Sequence, residues 1–195
     1  MSTKVPRKQL ILEALASELE NSPGARITIA VLARAVGITE AALYRHFASK
    51  AQMFDALICF AEESIFTRIN QILDEDKDTA SRCAQIVYLL LGFAERNPGI
   101  TRVLLGDALV GEEDRLQARV GQFFDRLETQ FKQVLRESRL RGDIDNTLEV
   151  EDRVDIILGF IEGRMQRFVR SKFSYSPLDR WKKQWQIIAS TALAG

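Results

Sequence analysis

Residues 28–50 read TIAVLARAVGITEAALYRHFASK and hold two short apolar helical patterns on either side of one glycine. Thr28 and Thr39 each stand directly before one pattern, where a side chain that caps a helix start is favoured. Gly37 ends the first pattern, at a position where a left-handed residue closes a helix without a Cβ penalty. Two short helices with a sharp turn between them form a helix-turn-helix. The stretch therefore predicts a unit that places its second helix in the major groove of duplex DNA.

The second helix of this unit begins with small side chains, which let a helix sit deep in a groove about 12 Å wide. The methyl group of Ala41 or Ala42 can also meet the methyl group of a thymine. Tyr44 and His46 follow one turn later, within reach of the phosphate backbone, although Tyr44 could instead be a packing residue. Phosphate contacts orient such a protein, and base contacts specify the sequence that it reads. The predicted DNA contacts are Arg26, Thr28, Thr39, Ala41, Ala42, Tyr44, His46 and Lys50.

The charge of the chain is unevenly distributed. The 195 residues carry 27 basic and 27 acidic side chains, a formal net charge of zero. Residues 1–50 alone carry seven basic and four acidic side chains, a net charge of +3, so the remainder carries −3. A basic first quarter suits contact with a polyanion such as DNA.

The composition disfavours several classes of protein. No apolar run approaches the roughly 18 residues of a membrane span, and Met1 to Arg7 lack the apolar core of a secretory signal. Cys59 and Cys83 lie in apolar helical patterns, so we expect buried thiols in a reducing cytosol rather than a disulfide framework. His46 is the only histidine, and the sequence holds no metal-ligand cluster and no Gly-rich phosphate loop. We therefore expect no enzyme activity, no cofactor and no metal ion.

Apolar residues elsewhere recur at helical spacing, and no strand alternation is long enough to indicate a sheet. The chain is therefore predicted to be all-α, with about nine helices. Capping and turn residues place the helices at about 6–20, 28–36, 39–47, 50–73 and 79–96, then a short one from Pro98, and the last three at about 112–140, 147–173 and from 176 onward.

The first fifty residues resemble the N-terminal domain of the TetR family of transcriptional regulators. The resemblance rests on Thr28, Leu32, Ala33, Gly37, Lys50 and the run AALYRHF at 41–47. It implies a three-helix DNA-binding domain with a helix-turn-helix at 1–50, a helical dimerisation and partner-binding domain at 51–195, and a palindromic DNA site.

The same resemblance implies a homodimer built by the last two helices. The last three predicted helices carry more large apolar groups than a lone C-terminal domain could readily hide, and a four-helix interface would bury them. The predicted dimerisation residues are Val154, Ile157, Ile161, Met165, Phe168, Trp181 and Trp185.

Further stretches resemble one branch of the TetR family, which acts in nucleoid occlusion. They are EAALYRHF from Glu40, TRIN from Thr67, DKDT from Asp76, LLLGFAERNPG from Leu89 and RFVRS from Arg167. In this branch, DNA-bound dimers antagonise polymers of FtsZ, the tubulin-like division GTPase, by engaging its C-terminal tail. The resemblance thus implies a cytoplasmic, nucleoid-associated protein that binds both palindromic duplex DNA and FtsZ.

One of the residues that this resemblance assigns to the FtsZ tail also has support from the helical pattern. On a helical wheel, Phe60 lies on the polar side of its helix, off the apolar stripe. An exposed phenylalanine near Arg68 could grip an apolar and acidic peptide. The alternative is that Phe60 packs against the first or the seventh helix. The full set of implied tail contacts is Phe60, Arg68, Leu89, Gly92, Arg96 and Asn97.

The alternative function is a TetR-type transcriptional repressor that a small-molecule inducer releases from DNA. Its pocket would lie between the fourth and eighth helices. A ligand pocket usually holds a few convergent polar groups, and these helices show no obvious set of them. We therefore expect no inducer. The candidate lining residues are Leu89, Phe93, Val103 and Phe124, with Gly92, Gly106 and Gly159 leaving room.

Overall fold

The computed structural model describes residues 6–22, 24–75 and 78–194, and over these residues the chain is helical without a strand. Residues 1–5, Pro23 and Gly195 lie outside this description, as do Asp76 and Lys77 of the DKDT stretch. The prediction of an all-α chain with about nine helices is confirmed over the described residues. The helices are α1 (Arg7–Asn21), α2 (Ile29–Val36), α3 (Glu40–Tyr44), α4 (Lys50–Asp74), α5 (Thr79–Arg96), α6 (Pro98–Leu104), α7 (Asp114–Arg141), α8 (Val150–Arg170) and α9 (Trp181–Ala192).

The chain forms two compact units, and the first is larger than the predicted DNA-binding domain. It contains the described residues up to Glu62 together with Asn97–Val120. Within it α1 packs against both α2 and α6. The predicted domain boundary at residue 50 therefore does not coincide with a boundary between the compact units.

In the first unit, α6 lies directly on α1 because its first turn carries a glycine. A Cβ atom at Gly99 would stand 2.0 Å from the carbonyl oxygen of Ala16, so no larger residue fits there. The almost fully buried Arg102 donates from Nη1 to the Leu19 carbonyl at 2.6 Å and forms an ion pair with Asp107. These contacts fix α1, the helix on which the helix-turn-helix rests.

The second unit contains Glu63–Arg96 and the described residues from Gly121 onward. In it α8 packs against both α5 and α9. Aromatic rings fill part of the core, where Phe66 and Phe123 meet edge to face with centroids 5.7 Å apart. A buried hydrogen bond of 2.7 Å from Thr79 Oγ1 to Ser138 Oγ ties α5 to α7.

The two cysteine thiols lie in different environments. Cys83 is fully buried, and this burial raises the pKa of its thiol to about 12. A thiol with such a pKa stays protonated and behaves as a small apolar group. Cys59 is only half-buried and accepts from Nη2 of Arg119 at 3.7 Å. The expectation of buried thiols thus holds for Cys83 and only partly for Cys59.

The connection between α8 and α9 is longer than the sequence pattern predicts. Helix α8 ends at Arg170 instead of about residue 173, and α9 begins at Trp181 instead of Ser176. Backbone in the left-handed region, with φ 52° at Lys172 and φ 65° at Phe173, ends the helical path.

A buried arginine holds this connection in place. The Arg164 side chain on α8 donates from Nε to the Pro177 carbonyl at 2.6 Å and from Nη2 to the Asp179 carbonyl at 2.5 Å. It also donates to the Gln184 side chain on α9. These bonds satisfy loop carbonyls that a longer α9 would have used internally.

None of the described helices combines the length and apolar character that a membrane span requires. Nor does the described part of the chain bring three or more His, Cys, Asp or Glu side chains together as metal ligands.

Candidate nucleic-acid interface and a second surface groove

The helix-turn-helix is shaped by the turn between α2 and α3. Gly37 adopts φ 71°, a left-handed conformation that strains any L side chain. Its N–H donates to the Arg34 carbonyl at 3.1 Å, and the Ile38 N–H donates to the Ala33 carbonyl at 2.9 Å. This pair of bonds is the Schellman arrangement found at many helix ends. The predicted role of Gly37 is thereby confirmed.

Threonine hydroxyls cap both helices of this unit. Thr28 Oγ1 accepts from the Val31 N–H at 3.3 Å, and Thr39 Oγ1 accepts from the Ala42 N–H at 3.1 Å. Both predicted caps are confirmed. Helix α3 is shorter than predicted, because it ends at Tyr44 and the chain turns over the next two residues.

One side of α3 is buried and the other faces solvent. Leu32, Ala33 and Leu43 are buried and lock α2 to α3. Tyr44 keeps 47% of its surface exposed at the end of α3. The solvent side therefore offers small side chains beside an exposed tyrosine, an arrangement that suits a major groove. Of the predicted DNA contacts, Arg26, Thr28, Thr39, Ala41 and Tyr44 are exposed, whereas Ala42 and His46 are half-buried.

Lys50, the first residue of α4, differs from the other predicted DNA contacts. Its ammonium donates to the Ile27 carbonyl at 3.1 Å and forms an ion pair with Glu112. The Lys50 side chain is 17% exposed and the Glu112 side chain 12%. The structure thus neutralises this cation inside the first unit, whereas the sequence analysis predicts that it points at a DNA phosphate. In this position Lys50 holds the start of α4 against the segments that precede α2 and α7.

A groove opens in the second unit between α4 and α5. Its volume is about 450 Å³. Arg68 on α4 and Arg96 on α5 are both exposed and place cations on its rim. Leu89 and Phe93 supply apolar surface in the groove, and Glu75 contributes one acid. An apolar groove with two guanidinium groups suits a ligand that carries both apolar and anionic groups.

Gly92 is placed beneath one of these guanidinium groups. A Cβ atom at Gly92 would stand 3.2 Å from Nη1 of Arg96, one turn further along α5. The absence of a side chain therefore lets Arg96 lie down along its own helix. On the other wall, Arg68 donates from Nη1 to Oε1 of Gln71 at 2.7 Å. The structure thus brings three of the residues assigned to the FtsZ tail, Arg68, Leu89 and Arg96, to one groove, and Gly92 lies beneath the third of them.

The other two residues assigned to the tail belong to the first unit. Phe60 on α4 is 47% exposed, which confirms that it lies off the apolar stripe of that helix. Asn97 is half-buried and directly precedes α6. Their part in tail binding stays a prediction.

Tyr88 is a lining residue of the groove that the sequence analysis did not name. Its side chain is 50% exposed and lines the groove on the α5 side. Tyr88 precedes Gly92 by one turn of α5 and Arg96 by two. Residues at this spacing share one helix face, and that spacing is the signal that could have found it.

Two family models match this chain. Residues 11–57 match the model described as bacterial regulatory proteins of the tetR family. Residues 77–192 match the SlmA-like model described as the tetracyclin repressor-like C-terminal domain.

Curated relatives extend the match over nearly the whole chain. The nucleoid occlusion factor SlmA of Alteromonas mediterranea is 54% identical over 184 residues, 93% of each chain. The protein of the same name from Shewanella pealeana is 52% identical over 192 residues, 98% of each chain. The chain belongs to the SlmA family of nucleoid occlusion factors. As a TetR-family member it is a DNA-binding regulator and not an enzyme.

The fold of this SlmA-family chain is shared with distant regulators of solved structure. The fatty acid degradation regulator FadR from Bacillus halodurans aligns with a TM-score of 0.79 at 15% identity, over 96% of each chain. At this identity the likeness concerns the fold alone, a helix-turn-helix followed by a helical C-terminal domain.

The predicted dimerisation residues of this SlmA-family chain lie in the core of the second unit. Val154, Ile157 and Ile161 have no exposed surface, and even Trp181 keeps only 9%. They are buried where α8 packs against α5 and α9 of the same chain. The part of these side chains in an interface with a second copy stays a prediction. The seven buried residues are Val154, Ile157, Ile161, Met165, Phe168, Trp181 and Trp185.

The residues considered for an inducer pocket are dispersed. Leu89 and Phe93 line the α4–α5 groove, whereas Val103 is fully buried in α6 of the first unit. Gly159 is exposed and Gly106 forms a left-handed turn with φ 75°, so neither opens space among the helices. The arrangement gives no support to a TetR-type repressor with an inducer pocket built by these residues.

Proposed function

We propose that this nucleoid occlusion factor, bound to DNA as a homodimer, inhibits FtsZ polymer assembly over the chromosome by binding the FtsZ C-terminal tail in the α4–α5 groove. The proposal places the protein in the cytoplasm, associated with the nucleoid. The observation that carries it is the groove itself, where Arg68, Leu89 and Arg96 converge and Gly92 makes room for Arg96.

The chemistry of the groove supports an extended peptide with acidic and apolar side chains. The guanidinium groups of Arg68 and Arg96 offer paired N–H donors that match the geometry of a carboxylate. The apolar surface of Leu89 and Phe93 lies on the same groove and can receive a hydrophobic side chain.

The exposed surface of α8 and α9 supports a homodimer. Ile156 on α8 and Ile187 on α9 are large apolar residues with 39% and 71% of their surfaces exposed. Gly159 and Gly163 follow Ile156 at helical spacing, and a Cβ atom at either would meet nothing within 4 Å. Small residues on a helix face allow a second helix backbone to approach closely. We infer that this face, and not the buried stripe, joins two copies around a two-fold axis.

A two-fold dimer presents two copies of α3 to a palindromic site. Two half-sites that lie one helical turn apart, on the same face of the duplex, have centres about 34–36 Å apart. The exposed Arg26, Thr28, Thr39 and Tyr44 are placed around α3 for phosphate contacts, with Ala41 toward the bases. Sequence preference then arises from few direct contacts together with the deformability of the DNA.

The decisive experiment is sedimentation of FtsZ polymers formed with GTP, with the protein added in the presence or absence of its palindromic duplex. The duplex is selected from random sequence by the protein itself. We expect a marked loss of polymer only when protein and duplex are both present. Unchanged polymer in the presence of duplex-bound protein would contradict the proposal.

A charge-reversal pair assigns the effect to the groove. Arg68→Asp is expected to keep duplex affinity and lose the effect on FtsZ, because it puts an anion on the rim of the groove. Lys172→Asp is the matched control, since Lys172 is exposed, lies outside the groove and has a left-handed backbone that aspartate tolerates. Equal behaviour of the two variants, or loss of duplex binding by Arg68→Asp, would remove the groove from the proposal.

A further inference from the structure

The α4–α5 groove is bounded on one side by an aromatic pair. Tyr88, half exposed, lines the groove, and its ring centroid lies 5.5 Å from that of Trp181, with the ring planes tilted by 32°. Trp181 is the first residue of α9 and is 9% exposed. Tyr88 therefore forms a wall between the groove and the beginning of α9.

A second depression lies on the far side of this pair. It has a volume of about 370 Å³ and is lined by Leu178, Arg180, Trp181, Lys182 and Lys183. All three cations are exposed, and within residues 6–22, 24–75 and 78–194 none of them forms an ion pair with a carboxylate. Leu178 and the indole of Trp181 give the depression an apolar side.

The charge around this depression is concentrated. Residues 178–183 carry its three exposed cations, Arg180, Lys182 and Lys183, and one acid, Asp179, in a chain whose net charge is zero. Exposed like charges at this density repel one another and attract an anionic partner. The surface therefore suits a polyanion or an acidic peptide.

The groove and the depression belong to the same unit and share structural supports. Ser176, in the α8–α9 connection, donates its hydroxyl hydrogen to a carboxylate oxygen of Glu95 on α5. Arg164 fixes the same connection through the carbonyls of Pro177 and Asp179. The connection that leads into Trp181 and Lys182 is therefore hydrogen-bonded both to α5, the helix that carries Tyr88, and to α8.

We propose that the peptide site continues from the α4–α5 groove over Tyr88 and Trp181 into the depression formed by Leu178, Arg180, Lys182 and Lys183, which binds acidic side chains of the same peptide. The inference rests on the proposed function. Two extended residues span about 7 Å, enough to cross the stacked rings. Continuity with the groove and the exposed aromatic wall favour a peptide over the phosphate backbone of DNA.

The test measures binding of a fluorescent peptide with the C-terminal tail sequence of the cognate FtsZ to the duplex-bound dimer. Lys182→Glu and Lys183→Glu, made singly and together, reverse charge in the depression, and the double variant is expected to bind the peptide about tenfold or more weakly. Lys172→Glu makes the same charge change on this unit outside both cavities and is expected to lower affinity less than about twofold. Light scattering confirms that each variant remains dimeric.

The aromatic wall has its own pair of variants. Tyr88→Ala is expected to weaken peptide binding several-fold, while Tyr88→Phe retains it because the ring still covers Trp181. A peptide shortened at the end that lies in the depression should bind the wild type as weakly as the full peptide binds the double variant. The double variant should then lose nothing further from that shortening.

The outcomes separate this inference from the function on which it rests. If the double variant equals Lys172→Glu while Arg68→Asp still abolishes peptide binding, the groove binds the tail and the extension is overturned. If Arg68→Asp also leaves binding unchanged, the proposed function itself fails. If the double variant keeps full peptide affinity and loses affinity for duplex DNA, the basic depression is a DNA surface and the inference is overturned.

Discussion

Lys50 is a cation that the fold directs inward, toward the Ile27 carbonyl and the carboxylate of Glu112. An ammonium held in this way supports the helix-turn-helix by fixing the start of α4. We therefore expect Glu112→Gln and Lys50→Met each to weaken operator binding about three- to tenfold with an unchanged dependence on salt. A phosphate contact would act differently, because its loss lowers the slope of log K against log salt by about one. The measurement is operator affinity across a salt series.

Opposite responses of the two variants would contradict this positioning role. If Lys50 binds a phosphate in the complex, Glu112→Gln frees the ammonium and strengthens binding, whereas Lys50→Met reduces the salt slope. Arg26→Ala serves as the control for a true phosphate contact. Arg26 is exposed before α2, and its loss is expected to reduce the slope.

The sequence predicts the role of a residue when that role depends only on the neighbouring backbone. Thr28, Thr39 and Gly37 act on backbone groups within five residues of themselves, so their spacing alone predicts their bonds. Arg153 shows the opposite case. It is fully buried in α8 and donates to the carbonyl of Ala192, 39 residues away, a partner that only the tertiary fold supplies.

At the scale of elements, the α8–α9 connection depends on one arginine. Replacing Arg164 by methionine keeps most of the side-chain volume but leaves the Pro177 and Asp179 carbonyls without their donor. We expect a loss of about 2–4 kcal/mol in the free energy of unfolding. Chemical denaturation followed by tryptophan emission measures this free energy, since Trp181 is the first residue after the connection.

Arg167→Met is the matched control for Arg164→Met. Arg167 lies one turn further along α8, is exposed, and stacks on the Tyr175 ring at 3.6 Å. An exposed cation–π contact contributes about 0.5–1 kcal/mol. A loss as large as that of Arg164→Met would show that the carbonyl bonds of Arg164 do not hold the connection.

Helices with strong end signals are predicted closely, and helices without them are not. Helix α4 begins at Lys50 as predicted, since Ser49 Oγ accepts from the Gln52 N–H at 3.2 Å in a capping arrangement. Helix α9 begins five residues later than predicted because Ser176-Pro177 resembles a helix start. The hydrogen bonds from Arg164 to carbonyls of that segment keep it in a loop. The sequence around residue 176 does not indicate that Arg164, a distant residue, is the partner.

At the scale of the molecule, the helical period shows which side chains are buried but not which chain buries them. The stripe through Val154, Ile157 and Ile161 is apolar enough for an interface, yet the protomer uses it against its own α5 and α9. Its burial leaves the opposite face of α8 for a partner. That face is recognisable only after the fold is known, because two of its members are glycines, which carry no apolar signal.

Disruption of that face should separate dimerisation from folding. Gly163→Leu fills the space available to a second helix, and Ile187→Asp places a charge on the exposed face of α9. Gly121→Leu is the control, since Gly121 is also an exposed helical glycine with nothing within 4 Å of an added Cβ atom. We expect the first two variants to sediment as folded monomers and to bind the operator at least about 100-fold more weakly, because each half-site is then bound without the effective concentration that linkage provides.

The same monomers test whether DNA and FtsZ are coupled through the dimer. The α4–α5 groove lies within a single chain, so a folded monomer is expected to bind the isolated FtsZ tail about as well as the unbound dimer does. It should nevertheless fail to depolymerise FtsZ at duplex concentrations that saturate the wild type. Persistent dimers with Ile187→Asp would place the interface elsewhere, whereas monomers that still inhibit FtsZ on DNA would show that two linked copies are not required. The dimer is the element through which DNA acts on division only if the variants lose both dimerisation and FtsZ inhibition while they still bind the tail.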